Sequence, residues 1–107
     1  MKHDLAEIKG EILSAIGHPN RIRIIEFLKD GPRCACEIVP ALNLEQSNLS
    51  RHMKILVQAG VLINWKDGQK VMYKVSDKRY FDILSKISLI IKDIYKTKMS
   101  IFEYSAV

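Results

Sequence analysis

Residues 36–62 read CEIVPALNLEQSNLSRHMKILVQAGVL, which contains two helical patterns joined by a short turn. The first pattern is brief, because Pro40 cannot donate a backbone hydrogen bond. The turn falls around Asn43–Leu44, and the second pattern repeats its apolar residues at helical spacing over about 46–59. This order predicts a helix-turn-helix at about 36–59, whose second helix enters the major groove of DNA.

The second helix begins with polar side chains whose chemistry suits DNA. Amide and guanidinium groups hydrogen-bond to purine edges, and hydroxyl groups bind phosphate. The candidate DNA-binding residues on this helix are Gln46, Ser47, Asn48, Ser50 and Arg51. The competing interpretation is an ordinary surface helix with small polar residues in its first turns.

Two runs rich in β-forming residues, VLINWK and KVMYKV, follow at about 61–75. They are joined by DGQ, and an Asp-Gly between such runs predicts a β-hairpin. Three residues on or beside this ribbon are placed to contact the DNA backbone or the minor groove: Lys66, Gln69 and Lys70. We therefore predict a basic wing that adds to the DNA-binding surface.

Amphipathic helices flank this core at about 3–16 and 77–102. The final helix is apolar around most of its circumference, as is typical of a helix buried on most sides. Because 107 residues are too few to wrap it, we predict a dimer interface there, with burial inside one subunit as the alternative. The predicted fold is mainly α with a β-hairpin wing: one winged helix-turn-helix domain over 1–107, with N- and C-terminal dimerisation helices.

The composition is that of an ordinary globular domain, with 48% apolar and 27% charged residues. Its net charge of +5 favours a polyanionic partner such as nucleic acid. The first residues lack the apolar segment of a signal peptide, and no apolar run has the length of a membrane span. We therefore expect a cytoplasmic protein, without a membrane partner, whose thiols stay reduced.

The two cysteines of the chain, Cys34 and Cys36, are separated by one residue. On a regular helix such side chains point to nearly opposite sides, whereas in extended chain they point to one side. Joint binding of one ion therefore requires the pair to lie at the non-helical entry to the helix. Soft thiolates prefer As(III), Cd, Pb or Cu(I) to hard cations. The alternative is that both are small buried hydrophobic residues.

The segments AIGHPNRIRIIEFL, SNLSRHMKILVQAGVL and DGQKVMYKV together resemble the ArsR/SmtB winged-helix repressors over about residues 5–90. The resemblance implies a homodimer that binds an inverted repeat in double-stranded operator DNA and requires no cofactor for binding. It also implies release from DNA when a metal ion, metalloid or oxidant acts on cysteines or other ligands. His18 stands where the family has an acidic residue, a departure that concerns helix capping. His52 matches the family's Ser-Xaa-His-Leu pattern, and we expect it to pack or hydrogen-bond.

The resemblance also bears on the cysteines, because members that sense As(III), Sb(III), Cd or Pb carry Cys-Xaa-Cys at this place. It thus implies Cys34 and Cys36 as ligands of the inducer. The arsenic sensor has a third cysteine where this chain has Val39, so the third ligand is left open among His3, a small thiol and a residue of the partner chain. A further family site uses His and carboxylates on the last helix, and no His lies within 77–102 here, so we expect that zinc site to be absent.

Three other functions compete with a metal-sensing repressor. The first is a repressor of the same fold that senses an oxidant or reactive sulfur species. A disulfide within the pair would close a strained small ring, so we expect oxidation to link the dimer or to yield a sulfenate. The second is a thiol enzyme, which the absence of Cys-Xaa-Xaa-Cys, of a βαβ pattern and of a phosphate-binding glycine loop disfavours. The third is a metal-carrying or interaction module that does not bind DNA.

Overall fold

The computed structural model describes residues 4–105, and their side chains as far as residue 99. In this part of the chain, five helices and three strands follow one another. They are α1 (Leu5–Ile16), α2 (Pro19–Phe27), β1 (Arg33–Cys34), α3 (Ala35–Leu42), α4 (Gln46–Gln58), β2 (Leu62–Asp67), β3 (Lys70–Val75) and α5 (Arg79–Ser105). The order matches the predicted winged helix-turn-helix, and β1 is the one element that the sequence patterns did not indicate.

Side-chain caps mark the start of four of the helices, among them α1 and α5. Asp4 accepts a hydrogen bond from the backbone N–H of Glu7 at 2.7 Å and so caps α1. Asp77 accepts one from the backbone N–H of Arg79 at 2.9 Å, which satisfies a free donor at the start of α5. Hydrogen bonds from the Arg79 side chain also lower the pKa of Asp77 to about 2, so this carboxylate stays ionised.

The turn between α3 and α4 depends on a left-handed residue. Asn43 has φ 52° and ψ 45°, and its backbone N–H returns to the carbonyl of Val39. Asparagine tolerates this conformation better than most residues because its short side chain can hydrogen-bond locally. The chain therefore reverses within three residues and starts α4 at Gln46.

The three strands form one antiparallel sheet in the order β1-β3-β2. The β2–β3 hairpin turns at Gly68, whose φ of +64° suits a residue without a side chain. On the other side of β3, Arg33 pairs with Tyr73 and Cys34 pairs with Met72. Through these two residues the entry to α3 becomes part of the wing.

The core joins α2, α3, α4 and the start of the wing. Ile24, Ile25, Ile38, Leu56 and Val61 are completely buried within one cluster. Because this cluster holds α4 by its apolar side, the polar side of that helix faces outward. The orientation of α4, the predicted recognition helix, follows from this packing.

Most of α5 extends beyond this core. The helix has 27 residues, or about 40 Å at 1.5 Å per residue, and only Leu84 among its described side chains is buried. The large apolar side chains that stay exposed on it include Ile83, Ile87, Ile90, Ile91 and Ile94. Burial of this helix inside one subunit, the alternative considered above, is therefore wrong. Within residues 4–105 no helix is both long enough and apolar enough to span a bilayer.

Candidate functional site

The first half of α4 carries the predicted recognition residues on its outward side. Gln46, Ser47, Ser50 and Arg51 are exposed, and Asn48 is half-buried. The Arg51 guanidinium donates a hydrogen bond to the side-chain oxygen of Asn48 at 3.0 Å. This contact holds two of the five candidate residues together on one exposed surface, so their hydrogen-bonding groups are positioned before any partner arrives.

The wing presents the other three predicted DNA-binding residues. Lys66, near the end of β2, and Gln69 and Lys70, around the turn, are all exposed. The strand β2 leaves the core directly after α4, because Val61 and Leu62 are buried in the cluster that also holds α4. One packed core therefore supports both predicted DNA-binding elements.

The cysteine pair lies at the entry to α3. Cys34 is extended, with φ −74° and ψ 147°, and acts as the N-cap residue, whereas Cys36 lies in the first helical turn. The geometric requirement for convergence of the two side chains is therefore confirmed, because Cys34 is outside the helix. Cys34 is only 3% exposed and Cys36 is exposed, so the alternative of two buried hydrophobic residues fits the first cysteine alone.

The two sulfur atoms are paired as a disulfide in this structure. The expectation that oxidation would link cysteines across a dimer or stop at a sulfenate is therefore wrong for this pair. The physical reason is the backbone at Cys34: an extended N-cap residue followed by a helical turn directs both sulfur atoms to one side. The backbone N–H of Cys36 also donates to the Cys34 sulfur at 3.0 Å.

An open hollow of about 710 Å³ separates the cysteine pair from the tip of the wing. Its lining consists of Cys34, Ala35, Cys36, Asp67, Gln69, Lys70 and Val71. The hollow exists because β1 pairs with β3, which brings the entry of α3 beside the hairpin. The cysteines thus share one surface with Gln69 and Lys70, two of the predicted DNA-binding residues, and with Asp67, which sequence patterns did not single out.

The described residues supply two ligands for a soft ion and no complete metal site. Among them, no group of three or more His, Cys, Asp or Glu side chains lies close enough to hold a metal ion. His3, one candidate for the third ligand, lies outside the residues that the structure describes. Once reduced to thiolates, Cys34 and Cys36 would fit a thiophilic ion as a two-sulfur chelate that remains one ligand short.

On the inner side of α4, His52 is buried and hydrogen-bonded, as predicted. Its side chain is 6% exposed, its ring centroid lies 4.6 Å from that of His18, and its Nδ1 lies 3.2 Å from the Arg21 guanidinium. Arg21 also donates to the backbone carbonyl of Ala15 at 2.5 Å. His18 itself caps α2, because its Nδ1 accepts from the backbone N–H of Asn20 at 3.0 Å. These contacts join the end of α1, the start of α2 and the middle of α4.

Stability should fall below pH 6.5 because of His52. Burial lowers the pKa of His52 from 6.5, and the nearby His18, Arg21 and Arg51 lower it further. As the pH falls, the unfolded chain therefore takes up this proton before the folded chain does, and the free energy of unfolding decreases. Urea unfolding from neutral pH down to about pH 5 measures this slope, which should be shallower in His52→Gln. Equal slopes in both proteins would refute the assignment.

Comparison with known proteins agrees with this architecture. Residues 18–64 match the model of the bacterial regulatory proteins of the arsR family. The transcriptional repressor SmtB of Mycobacterium tuberculosis is 38% identical over 74 residues, which cover 69% of this chain and 55% of that protein. The chain thus spans about half the length of this relative.

Two further proteins match over more of their length. The arsenical resistance operon repressor of Staphylococcus aureus is 32% identical over 79 residues, 74% of this chain and 76% of the repressor. The crystal structure of M. tuberculosis Rv0081 superposes with a TM-score of 0.80 at 27% identity, covering 92% of this chain and 99% of the other. With the fold, the core and this degree of identity in agreement, the chain belongs to the arsR family of bacterial regulatory proteins.

Proposed function

We propose that this chain is a homodimeric transcriptional repressor that leaves its operator when a soft metal ion or metalloid, such as As(III), binds Cys34 and Cys36. Sb(III), Cd and Pb belong to the same class of thiophilic inducers. The observation that carries the proposal is the position of the cysteine pair. Its sulfur atoms converge at the entry to α3 and border the hollow that contains Gln69 and Lys70.

The DNA-binding part of the proposal rests on two exposed polar elements and on charge. The start of α4 offers amide, hydroxyl and guanidinium groups, and the wing offers an amide and two ammonium groups. The first group suits base edges and phosphates in a major groove, and the second suits the flanking backbone. A net charge of +5 favours both contacts.

The dimer rests on apolar side chains that one subunit leaves exposed. They lie on both terminal helices and include Leu5, Ile8, Ile87, Ile90 and Ile94. A second copy of the chain that covers them would remove this surface from water, with a favourable free energy of about 25 cal/mol per Å². Two copies related by a two-fold axis would present two recognition helices, which matches an inverted repeat.

Release would follow from the double role of Cys34. Its sulfur caps α3, and its backbone pairs with Met72 of the wing. When an ion draws the two sulfur atoms into its coordination shell, the cap is lost and strand β1 is displaced with it. Two elements then change position: α4, which follows α3, and the wing, whose strand β3 pairs with β1. Both elements carry predicted DNA-binding residues. The inducer thereby lowers the affinity for DNA.

A titration of As(III) into the reduced protein on its upstream DNA tests the proposal. We expect the affinity to fall about tenfold, as is typical of coupling between two sites. The double variant Cys34→Ser, Cys36→Ser should bind the DNA as the unmodified chain does and should not respond. Release of this double variant by As(III), or an unmodified chain that ignores As(III), Cd and Pb alike, would contradict the proposal.

The disulfide favours a second candidate, in which an oxidant is the inducer. Two thiols give two electrons and two protons to hydrogen peroxide, which forms one sulfur–sulfur bond and two molecules of water. Titration with peroxide in place of As(III) separates the two inducers on the same DNA. A module that does not bind DNA would show no duplex binding at low salt, whereas phosphate contacts predict binding that weakens steeply as salt rises.

A further inference from the structure

We propose that the hollow beside the cysteine pair binds a low-molecular-weight thiol of the amino-acid type, which supplies the third sulfur to an arsenic atom held by Cys34 and Cys36. This inference rests on the proposed function, because it names the ligand that completes the same site. It assigns a class of ligand to the open hollow beside the cysteines.

The need for an external ligand follows from the ligand count. Trivalent arsenic forms three bonds to sulfur, and the chain has two cysteines. In the part of the chain that the structure describes, no third His, Cys, Asp or Glu joins them in a metal-binding group. A partner subunit brings the same two cysteines, which its own arsenic atom requires. A separate thiol molecule is the source that gives arsenic a third sulfur and leaves the cysteine pairs of both subunits intact.

The hollow has the space and the access that such a molecule needs. It measures about 710 Å³ and is bordered by both cysteines. Cys36 is exposed, so an arsenic atom bound there remains open to solvent on the side of the wing. A small thiol can enter without displacing any part of the core.

The charges around the hollow indicate which thiol fits. Lys70 offers an ammonium group, Asp67 a carboxylate and Gln69 an amide, and Asp67 and Lys70 stand opposite each other in the hairpin register. Neither charge has an ion-pair partner among the described side chains of residues 4–99. An amino-acid thiol carries a carboxylate for Lys70 and an ammonium group for Asp67, next to the sulfur that binds arsenic. A neutral thiol satisfies neither group.

The chemistry is ligand exchange without any change of oxidation state. Arsenite, As(OH)₃, reacts with three thiols: three arsenic–oxygen bonds break and three arsenic–sulfur bonds form. Each thiol proton leaves with one hydroxide as water, so three molecules of water are released. The occupied hollow engages Gln69 and Lys70, which are then no longer available to DNA.

The test uses the reduced full chain with As(III) and either L-cysteine, which carries an ammonium and a carboxylate group, or thioglycerol, which carries neither. Native mass spectrometry should detect a dimer that carries one arsenic atom and one cysteine per chain, and X-ray absorption should give three sulfur neighbours at arsenic. L-cysteine should bind about two- to fivefold more tightly than thioglycerol, as expected for exposed ion pairs. Lys70→Ala and Asp67→Ala should each reduce this preference. Lys74→Ala, on the same strand but outside the hollow, should retain it.

Each remaining result has a definite meaning. Arsenic bound with no thiol in the complex would overturn this inference and leave the proposed function standing. A complex that forms equally well with both thiols, and equally well in Lys70→Ala, would overturn the assignment of an amino-acid thiol. A reduced chain that binds no arsenic under either condition would overturn this inference, and one that binds neither Cd nor Pb as well would overturn the proposed function.

Discussion

Replacing both Ile87 and Ile94 by lysine should leave the chain monomeric and lower its affinity for operator DNA by more than about a hundredfold. The two side chains are 43% and 45% exposed on α5. They lie on one side of the helix with Ile83 and Ile90, because these positions are three or four residues apart. An ammonium group introduced there would be buried without a partner in the proposed interface, which is strongly unfavourable.

The loss of DNA binding follows from symmetry. A dimer holds two recognition helices against two half-sites at once, whereas a monomer keeps the contacts of one. The monomeric variant therefore loses half of the DNA contacts. It also loses the gain in affinity that two linked recognition helices obtain when they bind both half-sites at once. Because neither isoleucine is part of the buried core, the fold of the monomer should persist, and circular dichroism would verify it.

The matched control is Leu89→Lys. Leu89 is also exposed, at 61%, but it lies two residues from Ile87 and thus about 200° around the helix. Sedimentation equilibrium and DNA binding should show a normal dimer for this control. A dimer that survives the double substitution, or a Leu89→Lys chain that dissociates equally, would place the interface elsewhere.

The double substitution Asn48→Ala, Arg51→Ala should weaken operator binding about a hundredfold, since contacts of this kind contribute about 1–3 kcal/mol each. The two side chains hydrogen-bond to each other on the outward side of α4. Both must be replaced, because either one alone leaves a hydrogen-bonding group that can shift to a neighbouring base. Since Arg51 is exposed and Asn48 half-buried, the core is left unchanged.

Fluorescence anisotropy on operator and scrambled duplexes, at one salt concentration, separates recognition from charge. Lys54→Ala serves as the control, because Lys54 is exposed one turn further along α4 and also carries one positive charge. The affinity of the control should fall slightly, and by the same factor for both duplexes. If Lys54→Ala costs as much as the double substitution, net charge alone accounts for binding and α4 does not read the sequence.

The elements of the fold were predictable because each depends on nearby residues. The helix expected at about 46–59 runs over Gln46–Gln58, and the runs joined by DGQ form the hairpin. The final helix starts at Arg79 instead of 77, because Asp77 caps it from outside. Helical spacing, an Asp-Gly turn and a capping carboxylate all act over a few positions, so a sequence displays them directly.

The candidate site was predictable only in part. The polar start of α4, the wing residues and the cysteine spacing were visible in the sequence, and His18 was expected to matter for capping, which its contact with Asn20 confirms. The strand β1 was missed, because two residues are too short to show a period. The intrachain disulfide was also missed, because it depends on the extended backbone of Cys34.

The amino-acid sequence by itself determined which segments are helices, where the hairpin turns, and that two cysteines precede the recognition motif. Only the tertiary structure decided that these cysteines lie beside the wing, because Cys34 pairs with Met72, a residue 38 positions away along the chain. Pairing over that distance is governed by how the core brings β1 and β3 together, and a local pattern carries no information about it. Asp67 and Lys70 therefore line one hollow with the two cysteines through packing alone.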